Sequence, residues 1–142
     1  MKNVLVDSSS WINYFKNENT QVVNFINKLL DTYIICTNDI ILTELIPVLD
    51  KQKEYELIDL MNSLIQVPLN IDWPEIIKFQ TENIKNGINK IGIPDLIIVQ
   101  NVLQNNLSLF SLDKHFNFMK KTINFDLIQG NNLYSFFVRK KL

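Results

Sequence analysis

Val4-Leu5-Val6-Asp7-Ser8-Ser9-Ser10-Trp11-Ile12 decides how the rest of this chain is read. Its short, continuous apolar run reads as a strand buried on both faces, over Asn3 to Asp7. The serines that follow offer N-cap hydroxyls to a helix carrying Trp11, Ile12 and Phe15. A buried strand passing straight into a helix is the opening unit of a parallel α/β sheet. The strand also ends on an acid, Asp7, and a carboxylate in such a setting is almost never buried without a partner.

The alternation continues downstream. A second helix starts at about Thr20, with Val22, Val23, Phe25, Ile26, Leu29 and Leu30 inward, and Tyr33 to Cys36 is a second strand. Thr37, Asn38 or Asp39 caps a third helix through Leu49, in which Pro47 predicts a kink or an early stop. Glu54 to Leu64 is helical by spacing, Ile65 to Leu69 is strand-like, and Pro74 suits the first turn of a helix reaching about Ile84. Asn86 to Gly92 is a loop, and Pro94 opens a helix to about Gln104. Leu107 to Leu112 is a strand, Asp113 to Lys120 a short helix, and Phe125 to Ile128 a last strand. The expected fold is α/β, a single domain over residues 1–142 with four to five parallel strands flanked by helices. The stretch 131–142 mixes Leu133, Tyr134, Phe136, Phe137 and Val138 with Arg139-Lys140-Lys141. It fits either a last element on the core or an exposed segment that meets a partner.

A length of 142 residues suits one domain, and 46% hydrophobic content supplies a core and argues against disorder. No apolar run reaches the roughly 18 residues of a membrane span. Met1-Lys2-Asn3-Val4 enters a strand directly and reads as no signal peptide. Cys36 is the one cysteine, which rules out an internal disulfide and fits a reducing cytoplasm. Its run, Tyr33-Ile34-Ile35-Cys36, marks it as a small buried hydrophobe. Net charge is −1, so bulk electrostatics do not favour a polyanion. Arg139 is the only arginine, which leaves phosphate contacts to lysines, asparagines, backbone N–H groups or a metal.

Three further acids share the setting of Asp7. Glu44 interrupts Ile40-Ile41-Leu42 and Leu45-Ile46, Asp95 sits between Ile93-Pro94 and Leu96-Ile97-Ile98-Val99, and Asp113 follows Leu109-Phe110-Ser111-Leu112. Apart from Lys114, no basic residue lies beside any of them. Asp7 and Asp113 follow strands, and in an open α/β sheet function collects at the carboxyl ends of strands. Asp95 begins a helix whose inward stripe continues through Ile98, Val99 and Val102. Glu44 shares a face with Ile40 and Ile41, which predicts that it points toward the sheet. Four converging carboxylates repel one another unless a cation joins them. Mg²⁺ or Mn²⁺, held by oxygen ligands, meets that need and suits phosphodiester hydrolysis.

Ser9 and Ser111 each stand two residues from one of these acids and are placed to orient a carboxylate from outside the ligand set. Lys114, with Lys120 and Lys121, forms a patch able to steer phosphate. His115 is the only histidine, which excludes a two-histidine mechanism. It reads as a partly exposed polar residue beside Asp113. An Asp-x-Asp phosphatase motif and a P-loop are both absent.

Taken together, Val4 to Ile12, Glu44, Pro94-Asp95-Leu96-Ile97-Ile98 and Ser111-Leu112-Asp113-Lys114-His115-Phe116 resemble the PIN-domain ribonucleases. The similarity is greatest to the VapC-type toxins of toxin–antitoxin pairs, and it runs from Asn3 to about Ile128. It implies a PIN-like three-layer sandwich around a parallel sheet. It also implies Mg²⁺- or Mn²⁺-dependent cleavage of RNA at Asp7, Glu44, Asp95 and Asp113, a homodimer, and a cognate antitoxin that covers the site. The readings that compete with a toxin are a housekeeping RNA-processing nuclease and a catalytically weak binding module working through protein or RNA contacts.

Overall fold

The structure, a computed structural model, describes residues 2–130 together with Leu133 and Phe136. Five strands and seven helices alternate along these residues. In chain order they are β1 (Val4–Val6), α1 (Ser8–Lys16), α2 (Thr20–Asp31), β2 (Ile35–Thr37), α3 (Asp39–Lys51) and α4 (Tyr55–Ser63). There follow β3 (Ile65–Gln66), α5 (Trp73–Lys85), α6 (Ile93–Gln104), β4 (Ser108–Phe110), α7 (Lys114–Met119) and β5 (Asp126–Ile128). The strands form one parallel sheet in the order β3-β2-β1-β4-β5, and the helices pack against it as an α/β sandwich.

β1 is central, and Val4, Leu5 and Val6 are all fully buried, as a strand covered on both faces requires. Its register pairs Val6 with Phe110 of β4 and Leu5 with Cys36 of β2. Phe110 in turn meets Phe25 of α2 edge to face at 4.9 Å, which seats that helix on the sheet. Phe136 packs on Phe25 from the other direction at 5.6 Å, and Leu133 is buried in the core. The remainder of 131–142, including Arg139-Lys140-Lys141, lies outside the described residues. Cys36 is buried as a hydrophobe, and burial pushes its thiol up to about 12.

Four local expectations are corrected. The serines after β1 do not cap α1: Asp7 takes the N-cap position without a side-chain cap bond, and the serines form the first turn. Tyr33 is not in β2; it is 84% exposed with φ 56°, closing the turn after α2 in the left-handed region. Pro47 lies inside α3 without stopping it, and the helix reaches Lys51. β3 ends at Gln66 instead of continuing to Leu69, with Val67 N–H still donating to Thr37 O at 2.8 Å.

A buried amide pair joins the two helices that carry Glu44 and Asp95. Asn38, the N-cap of α3, accepts from Ile41 N–H at 3.1 Å and donates its Nδ2 to Asn101 Oδ1 of α6 at 3.0 Å. Asn101 Nδ2 donates onward to Pro68 O at 3.0 Å. Asn101→Leu strands the buried Asn38 amide, and an unsatisfied buried group costs roughly 1–3 kcal/mol, whereas Pro68 is exposed and its carbonyl can turn to water. We expect urea unfolding of Asn101→Leu to show a loss of about 1–3 kcal/mol at unchanged m-value.

Candidate active site

The strand order reverses between β1 and β4, and a crevice opens beyond the carboxyl ends of strands at such a point. The acids lie at this edge: among the described residues Asp95 and Asp113, with His115, bring ligand atoms within 4.8 Å of one another, while Asp7 and Glu44 stand outside that group and act on it electrostatically. Asp7 follows β1, and its backbone N–H donates to Phe110 O of β4 at 2.9 Å. Asp113 follows β4 and caps α7, accepting from His115 N–H at 2.9 Å. Asp95 lies in the first turn of α6, where the helix N-terminus favours a negative charge. Glu44 stands in the second turn of α3.

Asp7 is the deepest, 4% exposed, and its environment is built by two hydroxyls. Ser9 Oγ and Ser111 Oγ each donate to Asp7 Oδ2 at 2.9 Å. Each hydroxyl also accepts a backbone N–H: Leu112 N–H donates to Ser9 Oγ at 3.1 Å, and Asp113 N–H to Ser111 Oγ at 3.0 Å. A serine hydroxyl carries one proton, and both protons are committed to Asp7. The 3.2 Å approach of the two serine oxygens is therefore a close contact between acceptors, not a further bond. Ser9 and Ser111 thus fix Asp7 as an acceptor through one of its oxygens, and Ser111 reaches Asp7 across the sheet while meeting its near neighbour Asp113 only through the backbone N–H.

The three serines of the first α1 turn fan outward at about 100° per residue. Ser10 Oγ donates to Phe110 O at 3.3 Å, Ser9 to Asp7, and Ser8 Oγ to Glu44 Oε2 at 3.4 Å. The last contact ties Glu44 to the start of α1, beside Asp7. Glu44 itself is exposed, which corrects the expectation that it points toward the sheet. The inward face of α3 is Ile41, Leu42, Leu45 and Leu49, and Glu44 falls at the edge of that stripe.

The electrostatics are those of carboxylates that burial and mutual repulsion make harder to ionise. Burial raises the Asp7 carboxyl above its ordinary range, opposed by the donors from Ser9 and Ser111. Glu44, exposed along its stem but with its carboxyl partly shielded, is raised by that partial burial, then by Asp7 and Asp95, with Asp113 adding a smaller push. Asp95 is raised to about 6 by burial first, then by Asp113 and Asp7, against the pull of His115. No lysine or arginine ion pair reaches the four acids among the described residues. Lys114 is exposed at the start of α7.

His115 is the neighbour that the sequence reading undervalued. It is partly exposed beside Asp113, as expected, but it also faces a second acid. Its Nδ1 lies 3.3 Å from Asp113 Oδ1 and 3.8 Å from Asp95 Oδ2. Asp95, Asp113 and His115 present ligand atoms that all lie within 4.8 Å of one another. The legible signal was the cap itself: a helix that starts on Asp113 turns the residue two places on back over its capping carboxylate.

Comparison with known proteins extends this geometry. The PIN domain family model matches residues 4–121, a span that contains all four acids. No curated protein matches the chain. Among solved structures, the fold is similar to a chain of VapBC2 from Rickettsia felis bound to a DNA fragment from its promoter. That match has TM-score 0.70 and 18% identity, and covers 89% of this chain and 97% of the other. It is similar as well to a chain of DNA-bound VapBC from Salmonella typhimurium, with TM-score 0.68 and 16% identity over 91% and 98% of the two chains. A toxin–antitoxin complex from Klebsiella pneumoniae gives TM-score 0.55 and 15% identity, over 79% and 88%. Identities this low speak to fold, and the family match covers most of the chain with its acidic crevice; the chain belongs to the PIN domain family.

Proposed function

We propose that this chain is a Mg²⁺- or Mn²⁺-dependent endoribonuclease of the VapC type, the toxin of a toxin–antitoxin pair. The observation that supports the reading is the closeness of Asp95 and Asp113 at the strand-order reversal, with Asp7 and Glu44 coupled to them electrostatically and with Asp7, Glu44 and Asp95 each raised by burial. The donor set fits the ion: hard carboxylate oxygens, partly buried, with mutual repulsion that a divalent cation relieves. Asp7, Asp95 and Asp113 would hold it, with Glu44 at the exposed mouth. When bound, such an ion supplies activation of water and stabilisation of charge building on the phosphate.

The chain's own residues do the positioning. Ser9 and Ser111 both donate to Asp7 Oδ2, which fixes the carboxylate in one orientation. Lys114, exposed next to Asp113, steers the RNA backbone. With water as nucleophile, the cut leaves a linear phosphate, whereas attack by a ribose 2′-hydroxyl leaves a cyclic one. The partner is a cognate antitoxin, in keeping with the complexes in which similar folds have been solved. A cleft of about 330 Å³ beside Glu44, lined by Ile12, Phe15, Leu45, Val48 and Leu57, offers that partner an apolar seat next to the acids. A homodimer completes the assembly.

The test is incubation of the purified chain with structured RNA in Mg²⁺, Mn²⁺ or EDTA. Internal cleavage with a linear terminal phosphate in either ion, and none in EDTA, is expected. No cleavage with either ion sinks the reading in favour of a binding module. Ser111→Ala removes a donor from Asp7 and the acceptor of Asp113 N–H together. Loss of such an outer partner costs about 10–100-fold at a metal site. We expect that drop in the initial cleavage rate at fixed Mn²⁺, with the fold retained by circular dichroism.

A further inference from the structure

We propose that His115 is a nitrogen ligand of the cation site, binding through Nδ1 together with Asp95 and Asp113, and that it biases the site toward Mn²⁺ over Mg²⁺. The inference rests on the acidic crevice being a cation site, as above. It adds a donor of different chemistry to that site.

The geometry is specific to this corner of the crevice. Asp113 and His115 are locked together by the α7 cap, because the backbone N–H of His115 donates to Asp113 Oδ1 at 2.9 Å. The ring then lies over the capping carboxylate with Nδ1 at 3.3 Å from that same oxygen. Asp95 arrives from α6, with its Oδ2 at 3.8 Å from Nδ1. In an octahedral shell with bonds of about 2.1 Å, adjacent ligands stand roughly 3 Å apart and opposite ones roughly 4 Å. The 3.3 Å separation is close to the adjacent spacing, and the 3.8 Å one lies between the two spacings. The ligand atoms of all three residues lie within 4.8 Å of one another, so a single ion meets both carboxylates and the imidazole after side-chain shifts of about an ångström.

The choice of ion follows from ligand type. Mg²⁺ is a hard cation that takes oxygen and keeps its waters, whereas imidazole suits the first-row transition ions. Replacing one oxygen donor by a ring nitrogen favours Mn²⁺ in relative terms. The competing role for His115 is that of a fixed positive partner for Asp95 and Asp113. The two roles make opposite predictions, since a resident cation competes with a metal and a ligand recruits it.

Because His115 is the only histidine, ring-¹⁵N labelling reports on this residue alone. Pulsed EPR of the Mn²⁺-loaded full chain is expected to show a nitrogen coupling that changes isotope with the label and disappears in His115→Gln. Calorimetric titration should show His115→Gln losing about 10-fold or more in Mn²⁺ affinity, with Mg²⁺ affinity changed by less than about 3-fold. Thermal unfolding in EDTA checks that His115→Gln is folded; His115→Asn serves as a second variant if it is not. Mn²⁺ binding without nitrogen coupling overturns the ligand role alone. Unchanged or tighter Mn²⁺ binding by His115→Gln does so too, and favours the fixed-cation role. Absence of any Mn²⁺ binding by the wild type overturns both the ligand role and the cation site.

Discussion

Asp7→Asn is expected to lower RNA cleavage by more than about 100-fold while leaving the metal-free protein folded. Loss of a partner outside the ligand set already costs roughly 10–100-fold, and Asp7 would sit inside it. The substitution nearly conserves shape. An asparagine Oδ1 still accepts from Ser9 and Ser111, so the bonds that hold the crevice closed persist. The amide group then faces the cation with a donor where a carboxylate oxygen stood. Stability should rise at neutral pH without metal, because burial already disfavours the ionised form of Asp7. Initial rates in Mn²⁺, paired with thermal unfolding in EDTA, check both halves. Cleavage within 3-fold or so of the wild type would remove Asp7 from the chemistry altogether, since a ligand's loss cannot be that mild.

The second large effect is on stability against pH, and it is visible without any substrate. Asp95 is raised from 3.8 to about 6 in the folded chain, by burial first and by Asp113 and Asp7 next. A carboxyl with a higher pKa folded than unfolded binds more protons in the native state. Its contribution is fully present below about pH 4 and is lost as pH rises through about 6. The interval corresponds to on the order of 3 kcal/mol. Glu44 and Asp7 act in the same direction.

Asp95→Asn removes that ionisation. In EDTA the variant should gain on wild type by up to about 3 kcal/mol between pH 4 and pH 7. Mn²⁺ should reverse the order at pH 7. An ion at 1,000 times its dissociation constant adds about 4.1 kcal/mol to the form that binds it, or roughly 8–16 °C in a domain of this size, which exceeds the gain of the variant. The variant lacks a ligand and should gain little. Parallel pH profiles of the two proteins in EDTA would show that Asp95 is not held in a repulsive cluster.

Much of this site was legible in the chain itself, because its elements are short and strongly patterned. Val4-Leu5-Val6 has no polar residue to alternate with, and only a strand covered on both faces accepts that. Once β1 is central, Asp7 must stand at its carboxyl edge. Asp113 follows by the same reasoning from Leu109 and Phe110. Glu44 was misjudged because residues at the border of a helical stripe turn inward or outward with the packing of the neighbouring helix. The three serines were misread for a related reason. Local propensity favours them as caps, yet each hydroxyl found a tertiary acceptor in Glu44, Asp7 or Phe110, partners far away in the sequence. Tyr33 looked like strand because it precedes isoleucines; its left-handed φ of 56° belongs to the turn after α2, and nothing in side-chain type announces it.

The bond from Ser111 to Asp7 spans 104 positions of the chain, and the one from Ser8 to Glu44 spans 36. No N-terminal fragment that stops short of β4 contains both of these bonds. During synthesis the N-terminal strand, with its acid, waits for most of the polypeptide before its partners exist. A chain cut anywhere before Ser111 should be harmless to RNA however well its remaining helices form. Cleavage and global folding should then vanish together in denaturant, at one midpoint, so that hydrolysis becomes a gauge of how much of the population is native.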